Sequence, residues 1–459
     1  MMDILALITR HLIAPAWALW EHSPYLRHRR RLLRTQFDPP ETIRRRQWER
    51  LHSLVEHASA TTDFWRSRLQ EVGVGKGRIR SFDDFRAVPL LTKADLRARA
   101  GAMLSDQYKK ELLHRKRTSG STGVSVEVLV DDAAQQFKRA CTLRSDEWSG
   151  WRLGERVAAV WGNPEYLKRG WRGRLRNTLL DRATYLDTLK MDEGAIARFA
   201  AALRRYPPSL LFGHAHSLYL FAGFVQARGP AGIRPKGIIS TAMVLHDWER
   251  RTMEEVFQCP VTNRYGCEEV SLIACECERH EGLHVNADGI YLEVLRPDGT
   301  PCAPGEPGMI VVTDLVNRAM PMIRYQVGDM GVLSVRQCSC GRGLPLLEKV
   351  EGRIADYVVT PRGDLISGIS LTENFAVMVP GVAQLQIVQE DVAHFVFRIV
   401  RAPDFGDESL DVIGSLVAER FGPGVQYECE YVDRIPQEPS GKYRFCISKV
   451  EKSIVRTRE

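Results

Sequence analysis

The stretch RTSGSTGVSV, residues 117–126, combines two glycines with four hydroxyl side chains and leads into an alternating segment, SVEVLVD (125–131). Backbone N–H groups in a glycine-rich turn, together with hydroxyls, form a concave donor surface that binds phosphate oxygens. The stretch lacks the Gly-Lys-Ser/Thr ending of a Walker loop, so the cation that neutralises a bound phosphate must come from elsewhere. A Ser- and Gly-rich hairpin turn is the alternative interpretation, because residues 125–131 alternate like a β-strand.

Length and composition indicate an ordinary globular protein. The 459 residues suffice for two or three domains, with 44% hydrophobic and 26% charged residues. A net charge of +7 and a pI near 8.9 are too mild to indicate a nucleic-acid partner. Ten cysteines without a recognisable secretion signal predict a reducing cytoplasm rather than a disulfide framework.

The apolar segment ILALITRHLIAPAWALW (4–20) is interrupted by Arg10, His11 and Pro15, which makes it too short and too polar to span a bilayer. Basic clusters follow at 27–34 and 44–46. Such a segment either makes weak contact with an anionic membrane surface or packs on the main domain with a solvated basic face. The packed helix is the favoured interpretation.

Local patterns predict an α/β protein in three parts. Apolar spacing predicts helices over 42–58, 63–72 and about 132–149, and Thr92 has the context of a helix N-cap. Short apolar runs at 156–162 and 237–241 predict buried strands, and residues 288–315 predict an antiparallel strand pair. After about residue 350, short strands and helices alternate. We therefore expect an N-terminal helical and basic extension (1–48), a large domain (49–350) and a small α+β domain (351–459).

Four later segments narrow the interpretation of the stretch 117–126. They are NRYGCEE (263–269), MPMIRYQVGDMG (320–331), EGRIADY (351–357) and EPSGKYR (438–444). In this order they resemble the signature motifs of adenylate-forming enzymes. The segments 54–69, 88–97 and 438–445 are most similar to the phenylacetate–CoA ligase family, especially its relatives in polysaccharide loci. The resemblance implies a large multi-subdomain N-terminal domain that binds ATP and a carboxylic acid, and a small mobile C-terminal lid.

The resemblance also implies roles for the matching residues. The β- and γ-phosphates of ATP would be wrapped by Thr118, Ser119, Gly120, Ser121, Thr122 and Gly123. The nucleoside would be bound by Tyr265, which stacks on adenine, by Asp329, which holds the ribose hydroxyls, and by a lining of Ser240, Thr241, Ala242 and Gly266. Arg353 would lie at the domain hinge, near ribose or phosphate, although Ala355 stands where the family often has an acidic residue.

Two cations would neutralise the phosphates. The resemblance assigns Mg²⁺ to Glu269, with Glu268 standing where the family usually has Ser or Thr. It assigns the second role to Lys442, a mobile point charge that stabilises negative charge developing on the α-phosphate.

The implied reaction is attack of a carboxylate on ATP, which releases pyrophosphate and leaves an acyl-adenylate, followed by transfer to coenzyme A. An amine, sugar or carrier-protein acceptor is the alternative, and a non-catalytic nucleotide-binding scaffold is an alternative of another class. Phe212, His214, His216 and Met243 are candidates for the walls of an acid pocket, or else core and loop residues.

The segments CECERHEGLH (275–284) and CSCGRG (338–343) predict a structural zinc site. The preferred ligands are Cys277, His284, Cys338 and Cys340, with Cys275 and His280 as competitors. The alternative is a set of free thiols in a reducing cytosol. Some ligases of the family that the chain resembles carry zinc at an equivalent place.

Overall fold

The structure is a computed structural model that describes residues 3–73, 79–117, 126–161, 170–188, 193–228, 232–353, 357–361, 365–367, 371, 375, 378–422, 424–436, 444 and 446–450. Its helices are α1 (Ile4–Ile8), a π-helical turn (Thr9–Ile13), α2 (Ala14–Trp20), α3 (Tyr25–Thr35), α4 (Pro40–Thr61), α5 (Asp63–Glu71), α6 (Phe82–Phe85), α7 (Lys93–Arg99), α8 (Asp132–Asp146), α9 (Gly170–Arg176), a second π-helical turn (Asn177–Asp181), α10 (Glu193–Arg205), α11 (Ala215–Ala227), α12 (Asp247–Phe257) and α13 (Asp407–Phe421). Short 3₁₀ turns lie at Ala100–Met103, Lys110–Leu112 and Glu147–Ser149.

The strands are β1 (His114–Arg117), β2 (Glu127–Val130), β3 (Val157–Trp161), β4 (Ala183–Asp187), β5 (Leu210–His214), β6 (Gly237–Thr241), β7 (Val261–Cys267), β8 (Ser271–Glu276), β9 (Leu283–Val285), β10 (Ile290–Leu295), β11 (Pro307–Asp314), β12 (Tyr325–Ser334), β13 (Leu346–Arg353), β14 (Tyr357–Val359), β15 (Leu365–Ser367), β16 (Val382–Asp391), β17 (His394–Arg401), β18 (Gln426–Tyr431) and β19 (Cys446–Ser448).

An 11-stranded sheet dominates the large domain, in the order β10-β11-β12-β13-β9-β8-β7-β6-β5-β3-β4. Strands β4, β3, β5, β6 and β7 are parallel, and from β7 onward the pairing is antiparallel. The apolar runs predicted at 156–162 and 237–241 form β3 and β6, and residues 288–315 form the antiparallel pair β10–β11. Side chains of α10, α11 and α12 pack against the parallel strands in one core. The predicted mixed α/β class is confirmed.

The helices near the start of the chain pack on this domain. The predicted helices 42–58 and 63–72 correspond to α4 and α5, which contribute Leu51, Leu54 and Trp65 to a core shared with β10–β12. Thr92 caps α7, with the Asp95 amide donating to its hydroxyl. Helix α4 is continuous across residue 48, where we placed a domain boundary. The three domain limits stay predictions.

The glycine-rich stretch joins two paired strands. Arg117 of β1 pairs with Glu127 of β2 in an antiparallel hairpin, and residues 118–125 between them lie outside the described residues. The hairpin strands are therefore present on both sides of the stretch. What residues 118–123 bind stays a prediction.

The small C-terminal part contains a hairpin, β14–β15, and a four-stranded sheet of order β18-β17-β16-β19, on which α13 packs. Lys442 lies in the segment 437–443, outside the described residues. Among the helices of the described ranges, none combines the length and apolarity needed to cross a membrane.

Candidate active site

The candidate site lies at the carboxyl ends of β6 and β7. Thr241 pairs with Arg264, and its hydroxyl donates to the Arg264 carbonyl at 2.8 Å. The chain then turns at Ala242, whose φ of 66° falls in the left-handed region. Residues 240–242 thus lie beside the strand that carries Tyr265. Ligands in open α/β sheets bind at this edge.

Gly266 is fixed by a close backbone approach. A β-bulge between β7 and β8 falls at Tyr265 and Gly266, and a Cβ on Gly266 would lie 2.5 Å from the Ser271 carbonyl oxygen. Only glycine fits there without a shift of backbone. The bulge gives a physical reason for the glycine that follows Tyr265 in this motif.

Strand β12 places two side chains opposite the NRYGCEE segment. The Tyr265 hydroxyl donates to Asp329 Oδ2 at 2.7 Å, and the Tyr325 hydroxyl donates to Glu269 Oε1 at 2.8 Å. Tyr325 and Asp329 stand on either side of an irregularity in β12, where the register with β11 shifts between Gln326 and Met330 and Gly328 has a φ of 93°. Two motifs separated by about sixty residues therefore meet through two phenol–carboxylate hydrogen bonds.

The two adjacent glutamates differ in environment. Glu269 is 4% exposed and held by Tyr325, whereas Glu268 is exposed to solvent. Burial raises the pKa of the Tyr325 hydroxyl, and the charge of Glu269 raises it further. Tyr325 therefore stays a donor at neutral pH. The interior carboxylate of this segment is Glu269.

A half-buried lysine lies next to these groups. Lys116, the penultimate residue of β1, donates to the Ser271 hydroxyl at 2.9 Å. Burial lowers its pKa, Lys138 adds to the effect, and the charge of Glu268 opposes it. Sequence reasoning missed both Lys116 and the hydrogen bond of Tyr325. The signal for Tyr325 was its spacing of four residues from Asp329, whereas nothing in the sequence marked Lys116.

Some of the predicted residues cannot be placed relative to this group. Residues 118–123 and Lys442 lie outside the described residues. Arg353 ends β13 and pairs in register with Asp329 of β12, so its backbone adjoins the site. The functions of all these residues stay predictions.

Aromatic and imidazole side chains flank the neighbouring strand ends. Trp161 at the end of β3 stacks with Phe212 at 5.1 Å and lies 4.2 Å from His214, measured between ring centroids. His216 Nδ1 lies 2.9 Å from Glu249 Oε1, and both side chains are buried. Of the predicted pocket walls, Phe212 and His214 lie on β5 beside Trp161. His216 instead joins α11 to α12 through Glu249.

A cysteine–histidine cluster lies apart from these strand ends. One ligand atom each from Cys277, His284, Cys338 and Cys340 lies within 4.8 Å of the others. The Cys277 and Cys338 sulfurs are 3.6 Å apart, and Cys340 Sγ is 3.2 Å from His284 Nε2. Neither competitor belongs to this group of four ligand atoms. Cys275 lies opposite His284 in the β8–β9 register, but its side chain forms a hydrogen bond with Ser145, and His280 Nδ1 lies 3.1 Å from Glu276 Oε2.

This donor set fits a tetrahedral zinc ion. Zn–S bonds of about 2.3 Å place ligand sulfurs roughly 3.8 Å apart, close to the separation seen here. The backbone N–H groups of Arg279 and Arg342 each approach a cluster sulfur at 3.4 Å, as outer-shell donors do around thiolates. Burial and the charge of Arg342 lower the pKa of His284 to about 4, so its imidazole is neutral, which is the ligating form.

The chain is similar in sequence and in fold to several known proteins. A family model described as the CapK C-terminal domain matches residues 358–449. The chain is 26% identical over 330 residues to the phenylacetate–coenzyme A ligase of Thermus thermophilus, which covers 70% of this chain and 72% of the relative. It is 23% identical over 424 residues to protein CapK of Staphylococcus aureus, which covers 88% of this chain and 89% of the relative.

A solved structure of 2-hydroxyisobutyryl-CoA ligase, in the postadenylation state with an acyl-AMP, superimposes with a TM-score of 0.70 at 21% identity, over 89% of this chain and 90% of that chain. The chain therefore has the fold of the adenylate-forming ligases, and its sequence relatives include phenylacetate–CoA ligases and CapK. The resemblance predicted from the motifs is confirmed.

Proposed function

We propose that this chain is an AMP-forming ligase that activates a carboxylic acid as an acyl-adenylate and transfers the acyl group to coenzyme A. The observation that carries the proposal is a pair of hydrogen bonds, one from Tyr265 to Asp329 and one from Tyr325 to Glu269. These contacts unite a nucleoside-binding pair and an interior carboxylate at the edge of the sheet where ligands bind. The ligase relatives and the shared fold support the same reaction class.

The nucleoside is bound by three features of the strand ends. The Tyr265 ring stacks on adenine, with residues 240–242 along the base. Asp329 accepts hydrogen bonds from the ribose hydroxyls, since a carboxylate offers acceptors to both. Because the Tyr265 hydroxyl already holds Asp329 at 2.7 Å, the ribose acceptor is pre-oriented before ATP binds.

The phosphate site combines hydrogen-bond donors and positive charge, which bind the phosphates, with a carboxylate that would bind Mg²⁺. Residues 118–123 supply donors to the β- and γ-phosphates, and Glu269 would hold Mg²⁺, which neutralises phosphate charge when bound. Tyr325 fixes one oxygen of Glu269 and orients that carboxylate. Lys116 adds a positive charge at the base of the hairpin that carries residues 118–123.

The reaction proceeds in two half-steps. A carboxylate oxygen of the acid attacks the α-phosphorus, the bond to the bridging oxygen breaks, and pyrophosphate leaves. The thiolate of coenzyme A then attacks the acyl carbon and AMP leaves, which yields a thioester. Lys442 stabilises the charge of the first transition state only. The small domain moves between the two half-reactions to remove it.

The acceptor has an alternative, because the match that spans more of the chain is to a protein whose name states no acceptor. The match to CapK spans 88% of this chain, against 70% for the first phenylacetate–CoA ligase, and the family model of the C-terminal domain is that of CapK. An amine, a sugar or a carrier-protein thiol is therefore the alternative to coenzyme A. A non-catalytic scaffold is the weaker alternative, since Glu269, Asp329 and Lys442 all match the motif residues.

The zinc cluster serves structure in this proposal. Four protein ligands would close the coordination sphere, so the ion would join the 277–284 segment to the 338–340 segment without taking part in catalysis. None of the ten cysteines, all of which lie in the described ranges, forms a disulfide bond. That state suits the reducing cytoplasm in which we place the protein.

The test is pyrophosphate release from Mg-ATP with a panel of aryl and aliphatic acids, each with and without coenzyme A. Acid-dependent release, with an acyl-CoA formed only when coenzyme A is present, is the expected result. Release that coenzyme A neither accelerates nor converts to thioester favours the alternative acceptors. ATP binding without release for any acid favours the scaffold. Glu269→Gln is the matched variant, since it keeps the shape of the side chain and removes its charge.

A further inference from the structure

The helical segment formed by α1, the π turn and α2 docks on the large domain through one narrow face. Its small residues Ala6, Thr9, Ala14 and Ala18 are all 6% exposed or less. The Thr9 hydroxyl donates to the Leu179 carbonyl at 3.0 Å. The helix lies close to the backbone of the large domain at Gly154. A Cβ on Gly154 would be 2.6 Å from the Ala6 carbonyl oxygen. The interpretation favoured from the sequence, a helix packed on the domain, describes this face.

The π turn keeps the small residues of the docked face on one side of the helix axis. Ala6 and Ala14 are eight residues apart, which in a regular α-helix places them about 80° apart around the axis. One residue inserted by the π turn brings them back to within about 20°. The small residues therefore stay on the domain side, and the large apolar residues stay on the solvent side.

The opposite face exposes large apolar side chains. Exposed fractions between 39% and 77% occur at Ile4, Leu5, Ile8, Leu12, Leu19 and Trp20. Helix α9 adjoins this segment through the Arg176–Glu21 ion pair at 3.1 Å, and it exposes Trp171 and Leu175, one turn apart. These two short segments hold eight of the sixteen exposed large apolar side chains among the described residues. Such concentration marks an interaction surface.

Exposed cations without acidic partners lie on α3 and α9, the helices that adjoin this segment. Across the described ranges, no ion pair involves the exposed arginines of α3 or α9, which are Arg27, Arg30, Arg31, Arg34, Arg172 and Arg174. The acidic residues of the first segment are neutralised, since Asp3 pairs with Arg182 and Glu21 with Arg176. The surface therefore combines protruding apolar side chains with uncompensated positive charge.

We propose that this N-terminal apolar surface, formed by the exposed faces of α1–α2 and α9 with the flanking arginines, docks on an anionic lipid bilayer. Apolar side chains enter the headgroup–acyl boundary while arginines contact lipid phosphates. Trp20 and Trp171 suit the interfacial layer, where tryptophan is enriched. A second copy of the chain is a poor occupant, because it would bring the same unpaired arginines face to face. This proposal is independent of the ligase reaction.

The experiment is flotation of the full chain with vesicles of phosphatidylcholine alone, or with one quarter phosphatidylglycerol. Binding to the anionic vesicles that weakens as salt rises is expected. Each arginine contributes about a fivefold factor in partitioning, so Arg172→Gln with Arg174→Gln should reduce binding by about 25-fold. Leu12→Ser with Leu19→Ser should also reduce binding. The control, Leu112→Ser with Val335→Ser, removes exposed apolar side chains elsewhere and should leave binding unchanged.

Three outcomes overturn the proposal. One is equal binding to neutral and anionic vesicles, and another is no binding to either. The third is self-association in sedimentation that the leucine variants abolish while vesicle binding is absent, because a second copy then occupies the surface. Circular dichroism confirms folding of each variant, and the arginine pair, which changes only exposed side chains, covers the case in which the leucine pair disturbs the helix.

Discussion

The hydrogen bond between Tyr265 and Asp329 predicts a specific pattern of nucleotide affinity. Tyr265→Phe keeps the ring that we propose stacks on adenine and removes only the hydroxyl that donates to Asp329 at 2.7 Å. A hydrogen bond to a charged group contributes about 1.5–3 kcal/mol. Because both side chains are partly exposed, the lower end applies. We expect Tyr265→Phe to weaken ATP binding by about 1.5 kcal/mol, roughly tenfold in Kd.

A double-mutant cycle decides whether the hydroxyl acts through Asp329. Asp329→Ala removes the ribose acceptor and should weaken binding by more than Tyr265→Phe. In that background, Tyr265→Phe should have little further effect, so the two losses should not add. Calorimetry with a non-hydrolysable ATP analogue measures all four Kd values. Tyr206→Phe, a change at an exposed tyrosine outside the site, is the control. If the two single losses multiply in the double variant, the hydroxyl acts independently of Asp329 and the reasoning is refuted.

Four further predictions follow from the same structure. Lys442→Ala should slow adenylation on the order of 10²–10³-fold yet spare thioester formation from a supplied acyl-adenylate, and equal loss in both half-reactions would contradict its assigned role. Tyr325→Phe should raise the Mg²⁺ concentration needed for half-maximal pyrophosphate release, because Glu269 loses its orienting donor. Cys338→Ser should reduce bound zinc, measured by elemental analysis, and lower the melting temperature, whereas Cys429→Ser, outside the cluster, should change neither. Glu293→Gln should lower the free energy of unfolding by about 3–5 kcal/mol in urea titrations, because it breaks the buried ion pair with Arg324. Glu306→Gln, at a more exposed ion pair, is the control. An effect of Glu293→Gln no larger than that of the control would show that burial does not matter here.

Local sequence signals predicted the elements that are determined by neighbouring residues in the chain. The run 237–241 has the bounds of β6, and Thr92 caps a helix, because both depend on neighbours in the chain. Sheet order could not be predicted this way. Strands β9 and β13 pair although about sixty residues separate them, and that pairing depends on long-range packing.

Candidate site residues could be predicted from the sequence where they lie inside a recognisable motif. Tyr265, Glu269 and Asp329 were identified, but the donors that hold the two carboxylates emerge only when β7 and β12 are brought together. Lys116 carries no local signal at all, because its role depends on burial beside Ser271 and Glu268. The four members of the Cys/His cluster could be chosen because two Cys/His segments form a complete donor set, whereas His280 pairs with Glu276. That the cluster binds zinc stays a prediction.

The most direct test of the central claim follows one oxygen atom. With an acid that supports pyrophosphate release, the carboxylate is labelled with ¹⁸O and the AMP is examined by mass spectrometry. Attack of the carboxylate on the α-phosphorus leaves one labelled oxygen in AMP, and this is the result we predict. Unlabelled AMP, or label in inorganic phosphate with ADP as the nucleotide product, would contradict an acyl-adenylate intermediate.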